Sequence, residues 1–199
     1  VPVVAKVEGL DEAVAYLKVF DQETLKAMNK EMYSVMKGLV QESRSMVPTG
    51  TPMSGWGKKS LTGGLWASDL AYTQGKVRTG IKSELKPVRL KGLDTKERAY
   101  LLVQGNAAGA IFEAAGRKNR NGQPWNPKST SKKVSHSTNP NAGKQFIENI
   151  VNFSGSVVIG KQGRIVWKSV QDNRAEITAK MAAVVAKYQA MINAKLARS

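Results

Sequence analysis

Cysteine is absent from the 199 residues. Disulfide stapling, thiolate metal sites and cysteine nucleophiles are therefore excluded. Histidine occurs once, at His136. Acidic residues are scarce: 15 Asp and Glu stand against 31 Lys and Arg, for a net charge of +16. No apolar run approaches the roughly 18 residues that span a bilayer. Val1–Gly9 lacks the basic-then-apolar shape of a signal peptide, so a soluble intracellular product without membrane contact is expected.

What remains is 41% hydrophobic, enough for one core. The excess charge is unevenly placed. Residues 1–47 hold 6 basic and 7 acidic side chains, whereas residues 48–144 carry +12 and residues 145–199 carry +5. An acidic partner is implied for the middle of the chain, either nucleic acid or an acidic protein surface.

Periodicity predicts the elements. Val1–Val7 alternates weakly and reads as a short strand or an arm. Asp11 caps a helix with Leu10, Val14, Leu17 and Phe20 on one face. Asp21 caps a longer one, ended by Pro48, with Leu25, Met28, Met32, Val35, Leu39 and Met46 as its buried stripe and Ser43 as an interruption. Val77, Thr79 and Ile81 alternate as a half-buried strand. Val88–Leu90 and Tyr100–Gln104 follow as further strands, and Pro87 marks an edge or a bulge. Ala107–Ala115 is a short helix closed by Gly116, and Gln145–Phe153 is another. Val157–Ile159 and Ile165–Trp167 read as strands, although the second fits equally the start of the last helix. Ile177, Met181, Val184, Tyr188 and Met191 lie on one face of a last helix, over about 173–197. That face is either core or a contact with another subunit. The expected fold is α+β: long N-terminal and C-terminal helices on a small antiparallel sheet, as a single domain over residues 1–199 with long loops.

Two loops stand out. Residues 48–66 are Gly/Pro/Ser/Thr-rich and contain Lys58, Lys59, Trp56 and Trp66. The tryptophans anchor the loop on its own domain or anchor a subunit interface. Residues 117–144 hold Arg117, Lys118, Arg120, Lys128, Lys132, Lys133 and Lys144, one aromatic (Trp125) and no acid. A flexible or partner-ordered segment is expected there, with these cations as candidate contacts and Trp56, Trp66 and Trp125 as candidate interface anchors. One aromatic is too few for a base-stacking platform, so any nucleic-acid contact would be electrostatic and sequence-independent.

No constellation for catalysis emerges. His136 sits among Ser, Asn and Lys without a nearby carboxylate. Glu113 lies amid small and apolar residues, where an ion pair with an arginine or a polar helix face accounts for it. Ser54–Gly57 is no nucleophile elbow, and Gly57–Ser60 lacks the upstream glycine of a phosphate loop. No cofactor, metal or enzymatic activity is expected.

Several segments, taken in order, resemble the neck and tail-completion proteins of long-tailed double-stranded-DNA bacteriophages. They are Gly9-Leu10-Asp11, Val47-Pro48-Thr49-Gly50 with Ser54-Gly55-Trp56, and Lys76–Ile81. Ala110–Gly116 with its Phe112-Glu113 pair and Gly163–Trp167 complete the order. The resemblance implies a virion protein of the tail or neck, assembled in the host cytoplasm. It would form a homo-oligomeric ring around the DNA path and contact neighbouring neck and tail-tube proteins. It carries over no catalytic residues. The basic 117–144 insertion and the long 48–66 loop depart from the family pattern. Contact with double-stranded DNA, if made, would be non-specific. A basic nucleic-acid-binding protein of ribosomal or chromatin type is the competing reading, and a hydrolase or nuclease using Glu113 or His136 is a distant third.

Overall fold

The computed structural model describes residues 3–5, 22–52, 56, 70–89, 96–131, 133–158 and 162–197. The helix expected from Asp11, the Asp21 cap, Lys58, Lys59, Trp66 and Lys132 lie outside these residues. The fold is α+β, with long terminal helices and a small antiparallel sheet. The helices are α1 (Gln22–Ser45), α2 (Gln74–Gly80), α3 (Ala107–Ala114), α4 (Ala142–Ser154), α5 (Val166–Asp172) and α6 (Arg174–Leu196). The strands are β1 (Val3–Ala5), β2 (Ile81–Arg89) and β3 (Lys96–Gln104). Where the sequence suggests one domain, the chain divides into two compact units, each built from separated segments.

One unit comprises Pro2–Glu42, Lys82–Val103 and Ser169–Ser199. Its sheet has the order β1-β3-β2, with Val3 opposite Leu102 and Ala5 opposite Tyr100 in antiparallel register. Central β3 is the apolar strand, and Ala99–Leu102 are buried. Pro87 falls in β2, an edge strand of the sheet. Residue Tyr100 meets α1 twice: its hydroxyl donates to Asn29 Oδ1 at 3.4 Å, and its ring stands edge-on to Tyr33 at 5.4 Å.

Helices α1 and α6 pair antiparallel, as three contacts of opposite numerical order require. Thr24 meets Lys195, Glu31 meets Lys187 and Tyr188, and Glu42 meets Asn173. The stripe on α1 runs Met28, Met32, Met36, Leu39, Val40, with Ser43 fully buried at its end. Met36 therefore replaces the expected Val35, and Val47 the expected Met46. A face followed at 3.6 residues per turn drifts off strict 3,4 spacing by the third turn. Ser43 continues the face rather than interrupting it. On α6, Ile177, Met181, Val185 and Tyr188 are buried, while Met191 is exposed. Flexible thioethers fill much of this core, where each fully buried side chain contributes about 1.5–3 kcal/mol.

The other unit comprises Ser43–Ile81 and Gln104–Lys168. Its core is aromatic. Trp56 packs on Tyr72 at 5.4 Å and Phe146 at 5.7 Å, and Tyr72 lies 6.2 Å from Phe112. The Trp56 indole donates to Leu70 O, Tyr72 N–H to Trp56 O, and the Tyr72 hydroxyl to Pro48 O. Burial holds the Tyr72 phenol protonated, its pKa pushed up to about 12. The Arg44 guanidinium grips Ile81 O with Nε and Nη2, at 3.1 and 2.8 Å.

Two expected strands are corrected here. Residues 77–80 belong to α2, not to a strand. Val77 and Ile81 are four apart and both buried, a spacing that fits one helical face as well as alternation. Thr79 is exposed, and its hydroxyl bonds back to Gly75 O and Lys76 O. The strand reading of Ile165–Trp167 also fails, and its alternative, a helix start, holds: Val166 and Trp167 open α5, the helix before the last.

Candidate functional site

The basic loop is assembled from local closures. Seven times between residues 119 and 141, an Asn or Ser side-chain oxygen accepts the backbone N–H two residues on. The acceptors are Asn119, Asn126, Ser129, Ser131, Ser135, Ser137 and Asn139, at 2.9–3.4 Å. Each mimics a backbone turn and needs no distant partner. Two backbone bonds clamp the loop across its middle, Asn126 N–H to Ser135 O and Ser135 N–H to Pro124 O. For this segment, expected to be flexible or partner-ordered, the described residues carry a series of local hydrogen bonds.

One glycine contact ties this framework to α4. Gly122, in left-handed backbone at φ +73°, lies against Gly143, and a Cβ there would fall 2.1 Å from Gly143 O. The contact brings residues 119–125 beside the start of α4. Between them lies an open groove of about 440 Å³, walled by Asn121, Gln123, Trp125, Pro140, Asn141 and Lys144. The Trp125 ring is 45% exposed, yet its indole N–H is fixed on Ser137 O at 2.8 Å.

The cations surround this loop. Lys118, Arg120, Lys128 and Lys133 are exposed and Arg117 half-buried, and none forms an ion pair with a described residue. Lys144 stands 3.7 Å from Glu148, a loose exposed pair of little energetic weight. Over the segments of this unit the sequence holds 15 basic and 3 acidic residues, net +12; the segments of the other unit carry +4. Of the three acids, Asp69 lies outside the described residues, Glu148 faces Lys144 and Glu113 is buried.

Glu113 is structural. Its carboxylate accepts the backbone N–H groups of Ile165 (2.7 Å) and Trp167 (3.0 Å) at the entry to α5. Arg164, itself buried, donates from Nη1 to Phe112 O and Ala115 O at the end of α3, and from Nε to Ser154 Oγ. Burial pulls the Arg164 pKa below its usual value, and Glu113 opposes that shift. A Cβ at Gly163 would meet Glu113 Oε1 at 2.0 Å, so only glycine admits the carboxylate there. Glu113 was expected to pair with an arginine or sit on a polar helix face. It does act electrostatically on Arg164, and it is also the cap of another helix.

Of the three candidate anchors, Trp56 is 1% exposed and committed to its own unit's core, which corrects its reading as an interface residue. Trp125 is half exposed. Trp66 lies outside the described residues, as do Lys58, Lys59 and Lys132. His136 is exposed, with Nε2 3.0 Å from Ser131 O. Sequence reading passed over the groove amides Asn121, Gln123 and Asn141. The two-residue spacing of Ser129 and Ser131, and of Ser135, Ser137, Asn139 and Asn141, was the visible signal for the framework that holds them.

Among the described residues no group of three or more His, Asp and Glu is placed to hold a metal ion. None of their helices is long and apolar enough to cross a membrane. Comparison of the chain with protein-family models, curated proteins and solved structures gives no significant match.

Proposed function

We propose that this chain is a structural, non-enzymatic virion subunit of a tailed double-stranded-DNA bacteriophage, of the neck or tail-completion kind. It forms a ring at the head–tail junction and meets its neighbours through the cationic loop at 117–144. The observation that carries this reading is the segregation of charge: the segments of one unit hold +12, and seven of their fifteen basic residues lie on the acid-free 117–144 loop. Ring subunits bind through such broad surfaces, and complementary charge sets partner and register. The resemblance in order of segments supports it. Ala110–Gly116 and Gly163–Trp167, two of those segments, engage one another through the Glu113 and Arg164 contacts.

Sedimentation and electron microscopy of the purified protein, alone and with its tail-tube partner, test the reading. Rings and virion-associated copies are expected. Monomers under every condition, with no copies in virions, overturn it. The cations Arg117, Lys118, Arg120, Lys128 and Lys133, which form no ion pair with a described residue, also favour a second reading, a sequence-independent nucleic-acid-binding protein. That reading requires duplex binding in a filter assay that weakens steeply with salt.

A further inference from the structure

We infer that the groove between the 119–125 arm and the start of α4 receives an extended acidic segment of a neighbouring polypeptide. This rests on reading the chain as an assembly subunit, and it selects acidic protein over DNA as what the groove itself holds.

Which polar side chains remain uncommitted gives the first reason. In the loop, Asn119, Asn126, Asn139 and four serines are consumed by turn closure. The side chains of Asn121, Gln123 and Asn141 have no hydrogen bond to a described residue, and all three line the groove. A primary amide both donates and accepts, which suits the alternating C=O and N–H of an extended peptide. Phosphate oxygens only accept, and would use half of that capacity.

The second reason is shape. A volume of about 440 Å³ accommodates a few residues of chain. A duplex, whose major groove alone is about 12 Å across, stays outside. The third is the mixture of surfaces. Trp125 is half exposed with its indole N–H fixed on Ser137 O, and Pro140 adds a second apolar surface for a side chain. Lys144 lines the groove, and Arg120 adjoins Asn119 and Asn121 in sequence, so carboxylates of the bound segment find cations.

Fluorescence anisotropy on the full chain tests this. The probes are a short labelled peptide of Asp and Glu with one central Leu, and a labelled random-sequence duplex. The variants are N121A/Q123A/N141A and the near-isosteric Gln123→Glu, which places like charge in the groove. Each variant is expected to weaken peptide binding by about tenfold or more, while changing duplex binding by less than about twofold. Gln123→Glu keeps side-chain size and serves if the triple variant melts early. Absence of peptide binding, or peptide binding unchanged in the variants, overturns the inference. Equal losses for both probes also overturn it and assign the groove to nucleic acid. Rings without peptide binding remove only this inference; amide-dependent peptide binding without rings or virion copies removes only the assembly reading.

Discussion

Glu113 and Arg164 each hold backbone groups beside the other in sequence. The carboxylate caps the helix that follows Arg164, and the guanidinium caps the helix that contains Glu113. Neither group needs to touch the other for both to be necessary. Glu113→Ala leaves two buried N–H groups unpaired and strips the compensating charge from a buried guanidinium. A loss of about 3 kcal/mol is expected, with a fall in melting temperature of about 6–12 °C. Arg164→Ala is expected to cost a similar amount, and the double variant less than the sum. Chemical denaturation of the three variants measures this.

Glycine substitutions separate three physical situations. Gly122→Ala combines left-handed backbone with a Cβ 2.1 Å from Gly143 O, and is expected to cost about 2–4 kcal/mol. Gly155→Ala has φ +63° but open space, and should cost about 1 kcal/mol. Gly38→Ala, exposed inside α1 with nothing within 4 Å, should stabilise by about 0.5–1 kcal/mol. Thermal melts of the three variants should fall in that order.

Glu84 lies between Lys82 (2.8 Å) and Lys86 (2.5 Å). Their hydrogen bonds lower its pKa from 4.5 to about 2. The depressed value means that its contribution is present above the ordinary carboxylate range and is lost as pH falls from about 4.5 to 2. In K82M/K86M the carboxyl should titrate back in the ordinary range. An NMR titration following the Glu84 side chain reads both values.

The contact role proposed for the basic loop separates binding from stability. Replacing Lys128, Lys132 and Lys133 together by Gln should shift the melting temperature by less than about 2 °C, because surface charges contribute little to folding. Partner binding should weaken, and its dependence on salt should flatten, since fewer counterions are released. A large drop in melting temperature would assign the cations a structural role.

The sequence exposed its long-range order unevenly. The faces of α1 and α6 were readable because many turns average out a single misplaced residue, such as Val35 for Met36. Central β3 was readable because Tyr100–Leu102 form an apolar run, and Pro87 marked an edge strand correctly. Seven-residue α2 was not, since Val77 and Ile81 satisfy two periods at once. The Glu113–Arg164 relationship was out of reach: its partners lie 51 residues apart, and its bonds run to backbone atoms that no side-chain pattern encodes. The groove was hidden for a related reason. Its existence turns on Gly122 meeting Gly143, and a glycine gives no sign of what it approaches.

The seven turn closures in the loop have an evolutionary consequence. Each spans two residues and draws on no atom of the core. A duplicated Ser-x or Asn-x step would close itself, and a deleted one would leave its neighbours folded. The displayed surface can therefore be lengthened, shortened or rewritten in small inherited steps while the helices and sheet stay as they are. Such a loop can change in length and sequence faster than the fold that carries it.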